Sequence, residues 1–125
     1  MSMRPKLRVW VVFPTGFKFG DGRAQLLEAI DELGSLQRAV ARFDMSYRSA
    51  WGYLRELERA AGFAMLERTP GRGRASGMKL TARGRDFVAR YRRFRRGLDA
   101  VAERGFTRAF RTTERPRDDG QRRRR

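Results

Sequence analysis

Gly34-Ser35-Leu36-Gln37-Arg38-Ala39-Val40-Ala41-Arg42-Phe43-Asp44-Met45-Ser46-Tyr47-Arg48-Ser49-Ala50-Trp51-Gly52-Tyr53-Leu54-Arg55-Glu56-Leu57 is the stretch that decides the fold. Ser35 stands where an N-cap belongs, because its hydroxyl can accept from an otherwise unpaired N–H of the first helical turn. Leu36, Ala39, Val40 and Phe43 then form one apolar face, which predicts a short helix over 36–43. Asp44-Met45 reads as a tight turn, and Ser46 is a second N-cap. Ala50, Leu54, Leu57 and Ala61 follow at i, i+4, i+7 and i+11, predicting a helix over Tyr47–Ala61 that Gly62 closes. Two helices joined by a turn of about three residues fit a helix-turn-helix unit.

Upstream, Leu7 to Phe13 is β-branched and aromatic and stops at Pro14-Thr15-Gly16, which reads as a strand. Gly16 to Gly22 reads as a Gly-rich connector. Leu26, Leu27, Ile30 and Leu33 place an amphipathic helix over 23–33, ended by Gly34. Downstream, 64–69 and 78–80 are short strand candidates around a Gly/Arg loop. Thr81 caps a long helix reaching about Arg104, with Phe87, Tyr91, Phe94, Leu98 and Val101 in a narrow seam of heptad spacing, the pattern of helix pairing. Gly97 weakens it locally. Past Thr107 all periodicity is lost, and a disordered basic tail is expected over 107–125. The expected class is mainly α with a small β component: a winged helix-turn-helix with a long C-terminal helix. Residues 1–19 form an N-terminal strand and connector, 20–106 the winged unit with its pairing helix, and 107–125 the tail.

Charge narrows the chemistry. The chain has 125 residues, 30 Lys and Arg against 14 Asp and Glu, and a formal charge of +16. The tail supplies +5 of it. Such an excess is costly to confine to one domain and makes sense beside a polyanion. No Cys and no His occur. A thiol nucleophile, an imidazole base, a Cys/His zinc site and disulfides are therefore excluded. The acidic residues are scattered, so no metal, cofactor or catalytic site is expected, and the chain is not expected to be an enzyme. Val9 to Phe13 is too short for a signal peptide and no apolar stretch approaches the ~20 residues of a bilayer span; a cytoplasmic protein with no membrane contact is expected.

Geometry assigns roles within the winged unit. The DNA major groove admits one helix, whose N-terminal turn faces the base edges. That turn here is Ser46, Tyr47, Arg48 and Ser49, with Gly52 and Arg55 one turn on. Arg48 and Arg55 suit bidentate contact to guanine, worth roughly 1–3 kcal/mol of discrimination each. Backbone N–H groups near Ser35 and Ser46 suit phosphate. Arg72 and Arg74 stand among glycines in the loop, flanked by Arg68 and Lys79, and suit the backbone or the minor groove. The loop does not match a nucleotide-binding P-loop, since it runs into Met78-Lys79-Leu80 rather than a helix. Tyr91, Phe94, Leu98 and Val101 are the expected dimer contacts. The structural alternatives are plain: Ser46 as a cap only, Tyr47 and Trp51 as packing residues, Arg48 and Arg55 as solvated charges.

A family resemblance enters on Asp44 to Leu57. The string Ser46-Tyr47-Arg48-Ser49-Ala50-Trp51 resembles the recognition segment of ModE-type molybdate-responsive regulators. Gly34-Ser35-Leu36 is similar to the opening of their second helix. Leu66-Glu67-Arg68, the Gly-rich loop and Leu80-Thr81-x-x-Gly84 are similar to their wing and long helix, a scaffold shared more distantly with LysR-type regulators. The likeness covers about 20–105. It implies DNA binding and dimerisation. It does not imply molybdate sensing, because no molybdate-binding domain follows in this sequence and the stand-alone winged unit is what the resemblance covers. The reading is then a homodimeric, sequence-specific transcriptional regulator on double-stranded DNA, with 47–61 in the major groove and 64–81 as the wing. The competing readings are an architectural DNA- or RNA-binding protein without sequence choice, and a protein-interaction module on the same fold.

Overall fold

Eight elements make up the computed structural model, which describes residues 2–70 and 77–114. They run β1 (Trp10–Val12), β2 (Lys18–Gly20), α1 (Asp21–Leu33), α2 (Leu36–Arg42), α3 (Tyr47–Ala61), β3 (Leu66–Thr69), β4 (Gly77–Leu80) and α4 (Ala82–Glu114). The chain divides into two units, Arg8–Arg92 and Met1–Leu7 with Arg93–Arg125. The winged helix-turn-helix class expected from sequence is the one observed.

In the first unit the three helices bury the faces their spacing predicts. Leu26, Leu27 and Ile30 of α1, Leu36, Ala39 and Val40 of α2, and Ala50, Leu54 and Leu57 of α3 share one core with Met65, Met78 and Leu80. Each fully buried Leu or Ile contributes roughly 1.5–3 kcal/mol. Ser35 and Ser46 cap as expected, accepting from Arg38 N at 3.2 Å and Ser49 N at 2.9 Å. Gly34 and Gly62 end α1 and α3 with φ of 71° and 82°. Asp44, in the turn between α2 and α3, also has positive φ, 53°.

Three segments differ from the expectation. The connector over 16–22 contains a strand: β2 pairs antiparallel with β1, Val11 opposite Phe19, and α1 starts at Asp21 rather than Arg23. Hydrogen bonds at the Phe13–Phe17 turn close this hairpin, and its Phe19 is fully buried, edge-on to Phe87 at 4.9 Å and Tyr91 at 5.1 Å. A three-residue strand between glycines leaves too little alternation to read. The long helix also continues to Glu114, so 107–114, expected in the tail, are helical; the rest of that segment lies outside the described residues. Tyr91 is only 4% exposed, and its hydroxyl lies 2.5 Å from Asp21 Oδ1. It packs into the core, which corrects its assignment as a dimer contact.

β3 and β4 pair antiparallel, Leu66 opposite Leu80 and Thr69 opposite Gly77. Three ties fix this hairpin. Glu58 of α3 accepts from Met65 N at 2.7 Å and Leu66 N at 3.1 Å. Thr81 donates its N–H to Met65 O at 2.9 Å and its hydroxyl to Ala64 O at 2.7 Å, while capping α4 by accepting from Gly84 N at 2.9 Å. Asp31 of α1 accepts from Leu80 N at 3.0 Å and from Arg85 Nη2 at 2.9 Å. Burial pushes the Asp31 carboxyl up, but the Leu80 N–H and the Arg85 guanidinium outweigh it and hold the group below its ordinary value.

Two outcomes follow from these ties. A Cβ on Gly84 would lie 2.4 Å from Met65 O, a backbone atom with no freedom to turn aside. Gly84→Ala should therefore destabilise by ~1–3 kcal/mol in urea unfolding. Gly97→Ala, where a Cβ meets nothing within 4 Å, should be neutral or stabilise by up to ~1 kcal/mol. Because the folded state holds Asp31 below its ordinary 3.8, its contribution is complete above that pH and is lost as pH falls through the lower folded value. Urea midpoints of the wild type and Asp31→Asn should differ most near neutrality and converge in acid.

Candidate nucleic-acid interface

α3 carries two opposed stripes. Ala50, Leu54 and Leu57 are buried, so at 100° per residue the opposite side belongs to Arg48, Gly52, Arg55 and Arg59, all exposed. Spacings of 4, 3 and 4 stack these four in a line along the helix. Among the described residues none of the three arginines is in an ion pair, so the stripe carries three uncompensated cations. A Cβ on Gly52 would meet nothing within 4 Å, so here the missing side chain leaves open space beside the backbone.

The N-terminal turn flanks this stripe. Tyr47 is 48% exposed, and its ring stands edge-on to Trp51 at 6.4 Å. Trp51 is half-buried against the core, as its position beside Ala50 implies. Ser49 is exposed. The Ser46 oxygen is engaged as a cap acceptor, which leaves its O–H free to donate. Ser35 stands apart from this group, half-buried at the start of α2.

A second group lies on the β3–β4 hairpin. Arg68 is exposed on β3, opposite Met78. Lys79 is exposed on β4 opposite Glu67, with Nζ 3.9 Å from its carboxylate. An exposed pair at that distance is weak, and a phosphate competes with it readily. Arg72 and Arg74 lie outside the described residues. Sequence reasoning missed Arg59: it is four residues beyond Arg55 and continues the line, a signal the same spacing argument carries.

The second unit holds the remaining candidates. On α4, Phe94 is 47% and Val101 58% exposed, and Leu98 is half-buried. Phe106 and Phe110 follow with ring centroids 4.9 Å apart, extending the apolar content of this helix past the expected seam. Within the same unit Arg95 donates to Leu7 O at 2.9 Å and pairs with Asp99.

Comparison with known proteins bears on the family and the fold. The "Molybdenum transport protein ModE" of Azotobacter vinelandii is 34% identical over 93 residues, 71% of this chain and 34% of its own. The "Molybdenum-pterin-binding protein MopB" of Rhodobacter capsulatus is 30% identical over 77 residues, 62% of this chain and 28% of its own. The chain thus spans about a third or less of these relatives. Among solved structures, the crystal structure of a CbnR_DBD–DNA complex superposes with a TM-score of 0.54 at 26% identity, covering 69% of this chain and 93% of that one. Residues 22–85 match the family described as bacterial regulatory helix-turn-helix protein, lysR family. That segment runs from α1 through both capped helices and the hairpin into α4, just over half of the sequence, and the chain belongs to the LysR family of bacterial regulatory helix-turn-helix proteins.

Proposed function

We propose that this chain is a transcription regulator that binds double-stranded DNA by sequence, as a homodimer acting in the cytoplasm. α3 enters the major groove, and the 64–81 hairpin lies on the backbone or in the minor groove. The observation that carries this reading is the exposed, unpaired stripe of Arg48, Gly52, Arg55 and Arg59 on a helix whose other side is packed in the core. A rigid helix offering guanidinium groups at one-turn spacing matches the dimensions and acceptor pattern of the groove. The family membership and the DNA in the neighbouring solved complex support the same partner.

In this reading Arg48 and Arg55 face bases, with Tyr47 and Ser49 beside them. Ser35, Ser46, Arg59, Arg68, Arg72, Arg74 and Lys79 face phosphates. Each neutralised phosphate adds about −0.9 to the slope of log K against log salt. Phe94, Leu98 and Val101 form the contact between two copies, with half-sites about one helical turn, ~34 Å, or a multiple apart. The charge of +16 equally suits binding without sequence choice. The two readings part on discrimination.

Selection from random duplex DNA at two salt concentrations should enrich a palindromic motif. Enrichment of a single half-site would remove the dimer, and no enrichment would leave the architectural reading. Arg48→Ala should erode the preference for the selected site by roughly 1–3 kcal/mol. Arg74→Ala should weaken all duplexes alike and flatten the salt slope. Gly52→Ala separates groove contact from stability: the free protein should be unchanged or up to ~1 kcal/mol more stable, because alanine suits a helix interior better. Its affinity for DNA should nevertheless fall, and unchanged affinity would show that nothing approaches that backbone.

A further inference from the structure

Beside α3, the first unit has a cleft of about 510 Å³ between the β1–β2 turn, the first turn of α1 and the C-terminal half of α3. That volume lies in the range of small-molecule sites, about 300–1,000 Å³. Phe17 and Tyr53 give it an aromatic wall, their rings 4.9 Å apart. Lys18, Arg23 and Arg59 set three cations around it against one carboxylate, Glu56. Among the described residues none of these cations is in an ion pair. Arg23 lies over the Tyr53 ring at 4.3 Å from its centroid, which orients the guanidinium at the cleft without neutralising it.

Tyr53 adds an independent observation. Its hydroxyl is buried and makes no well-formed hydrogen bond among the described residues, although the Arg23 guanidinium lies close enough to pull its pKa down. A buried hydroxyl left without an acceptor is costly, and the free protein retains that unmet donor at this wall. Burial raises its pKa against the pull of Arg23, so it remains a donor rather than a phenolate at neutral pH. Arg23 is exposed and rotatable.

We propose that this cleft binds a small organic anion, a carboxylate on a planar apolar body. The carboxylate lies between Arg23, Lys18 and Arg59 and accepts from the Tyr53 hydroxyl, and the body packs on Phe17. Glu56 on the same wall disfavours a ligand that is anionic throughout and selects one whose charge sits at one end. Planar guanidinium–carboxylate pairing gives the geometry its specificity. Arg59 is shared with the proposed phosphate contacts, so the anion and DNA would compete for it; Phe17, Lys18, Arg23 and Tyr53 are not among those contacts.

The test is titration of the full-length, ¹⁵N-labelled protein with benzoate, with inorganic phosphate and benzylamine as parallel arms. Benzoate should shift amides of 16–23 and 53–60 saturably, and phosphate should bind at least about tenfold more weakly. Benzylamine should not saturate. Arg23→Gln should weaken benzoate by about tenfold or more, and Tyr53→Phe by about three- to tenfold, the loss of one hydrogen bond. Amide spectra of the unliganded variants confirm that each is folded, and Arg59→Gln, an exposed position, gives a second reading of the charge requirement. Benzoate shifts scattered over the basic surface, or left unchanged by Arg23→Gln and Arg59→Gln, would overturn the proposal. So would phosphate binding as tightly as benzoate, which would make the cleft a site for oxyanions alone, the DNA backbone among them.

Discussion

The backbone of Ala64, Met65 and Leu66 is held from two directions at once. A carboxylate on α3, Glu58, collects the N–H groups of Met65 and Leu66, and Thr81 takes the carbonyls of Ala64 and Met65. The Glu58 bonds are charge-assisted and so stronger than neutral ones, and each spares a part-buried backbone N–H an unpaired state. The same few atoms fix where the hairpin begins and where α4 begins. Asp31 repeats the device on the far strand, joining α1 to Leu80. An extended segment of four residues has no stability of its own. It stands here because side chains of α1 and α3 accept its hydrogen bonds, so the helices hold the hairpin and set its direction relative to α3.

Much of this was legible in the sequence because it is written in short-range physics. The caps at Ser35 and Ser46, the stops at Gly34 and Gly62 and the buried stripe of α3 each follow from residues within one or two turns. The paired serines and the line Arg48, Gly52, Arg55 therefore located the exposed face of α3 before any tertiary contact was known. What escaped was long-range. β2 exists only because β1 pairs with it and Phe19 meets Phe87 and Tyr91 some seventy residues away. Tyr91 sat correctly in a heptad seam, but periodicity says which side of a helix is apolar and not what that side meets. The hydroxyl of Tyr53 and the carboxylate of Asp31 likewise acquire their character from partners, or the lack of them, distant in the chain. Helix past 104 was missed because Phe106 and Phe110 fall out of step with the seam that ends at Val101 and the residues around them are polar or small, although Arg and Glu are good helix formers.

Burial and charge are cleanly separated. Among the described residues the core contains no buried charged side chain, and its occupants are aliphatic, sulfur-bearing or aromatic. Most cations among the described residues accordingly reach the surface, where salt screens them and where a polyanion meets them without first breaking buried pairs; the Arg95 side chain, held by Leu7 O and Asp99, is the mostly buried exception. Several are spent within the fold: Arg85 on Asp31, Arg92 on Glu28 at 2.7 Å, Arg42 on Glu32 at 3.4 Å. The arginines of the α3 stripe are not, and that difference, rather than the total, distinguishes a candidate contact from a structural charge.

Asp44 gives the arrangement a narrow tolerance. Left-handed backbone is inexpensive for glycine, tolerable for Asp and Asn, and costs about 1–2 kcal/mol for other residues. A β-branched side chain there would strain the turn that sets where α3 begins at Ser46. A helix of 15 residues is a lever of about 22 Å, so a tilt of about 10° carries its far end through about 4 Å, a whole base-pair step. Under the proposed reading of α3, one dihedral in the turn before it would thereby set where the far end of the helix meets a duplex.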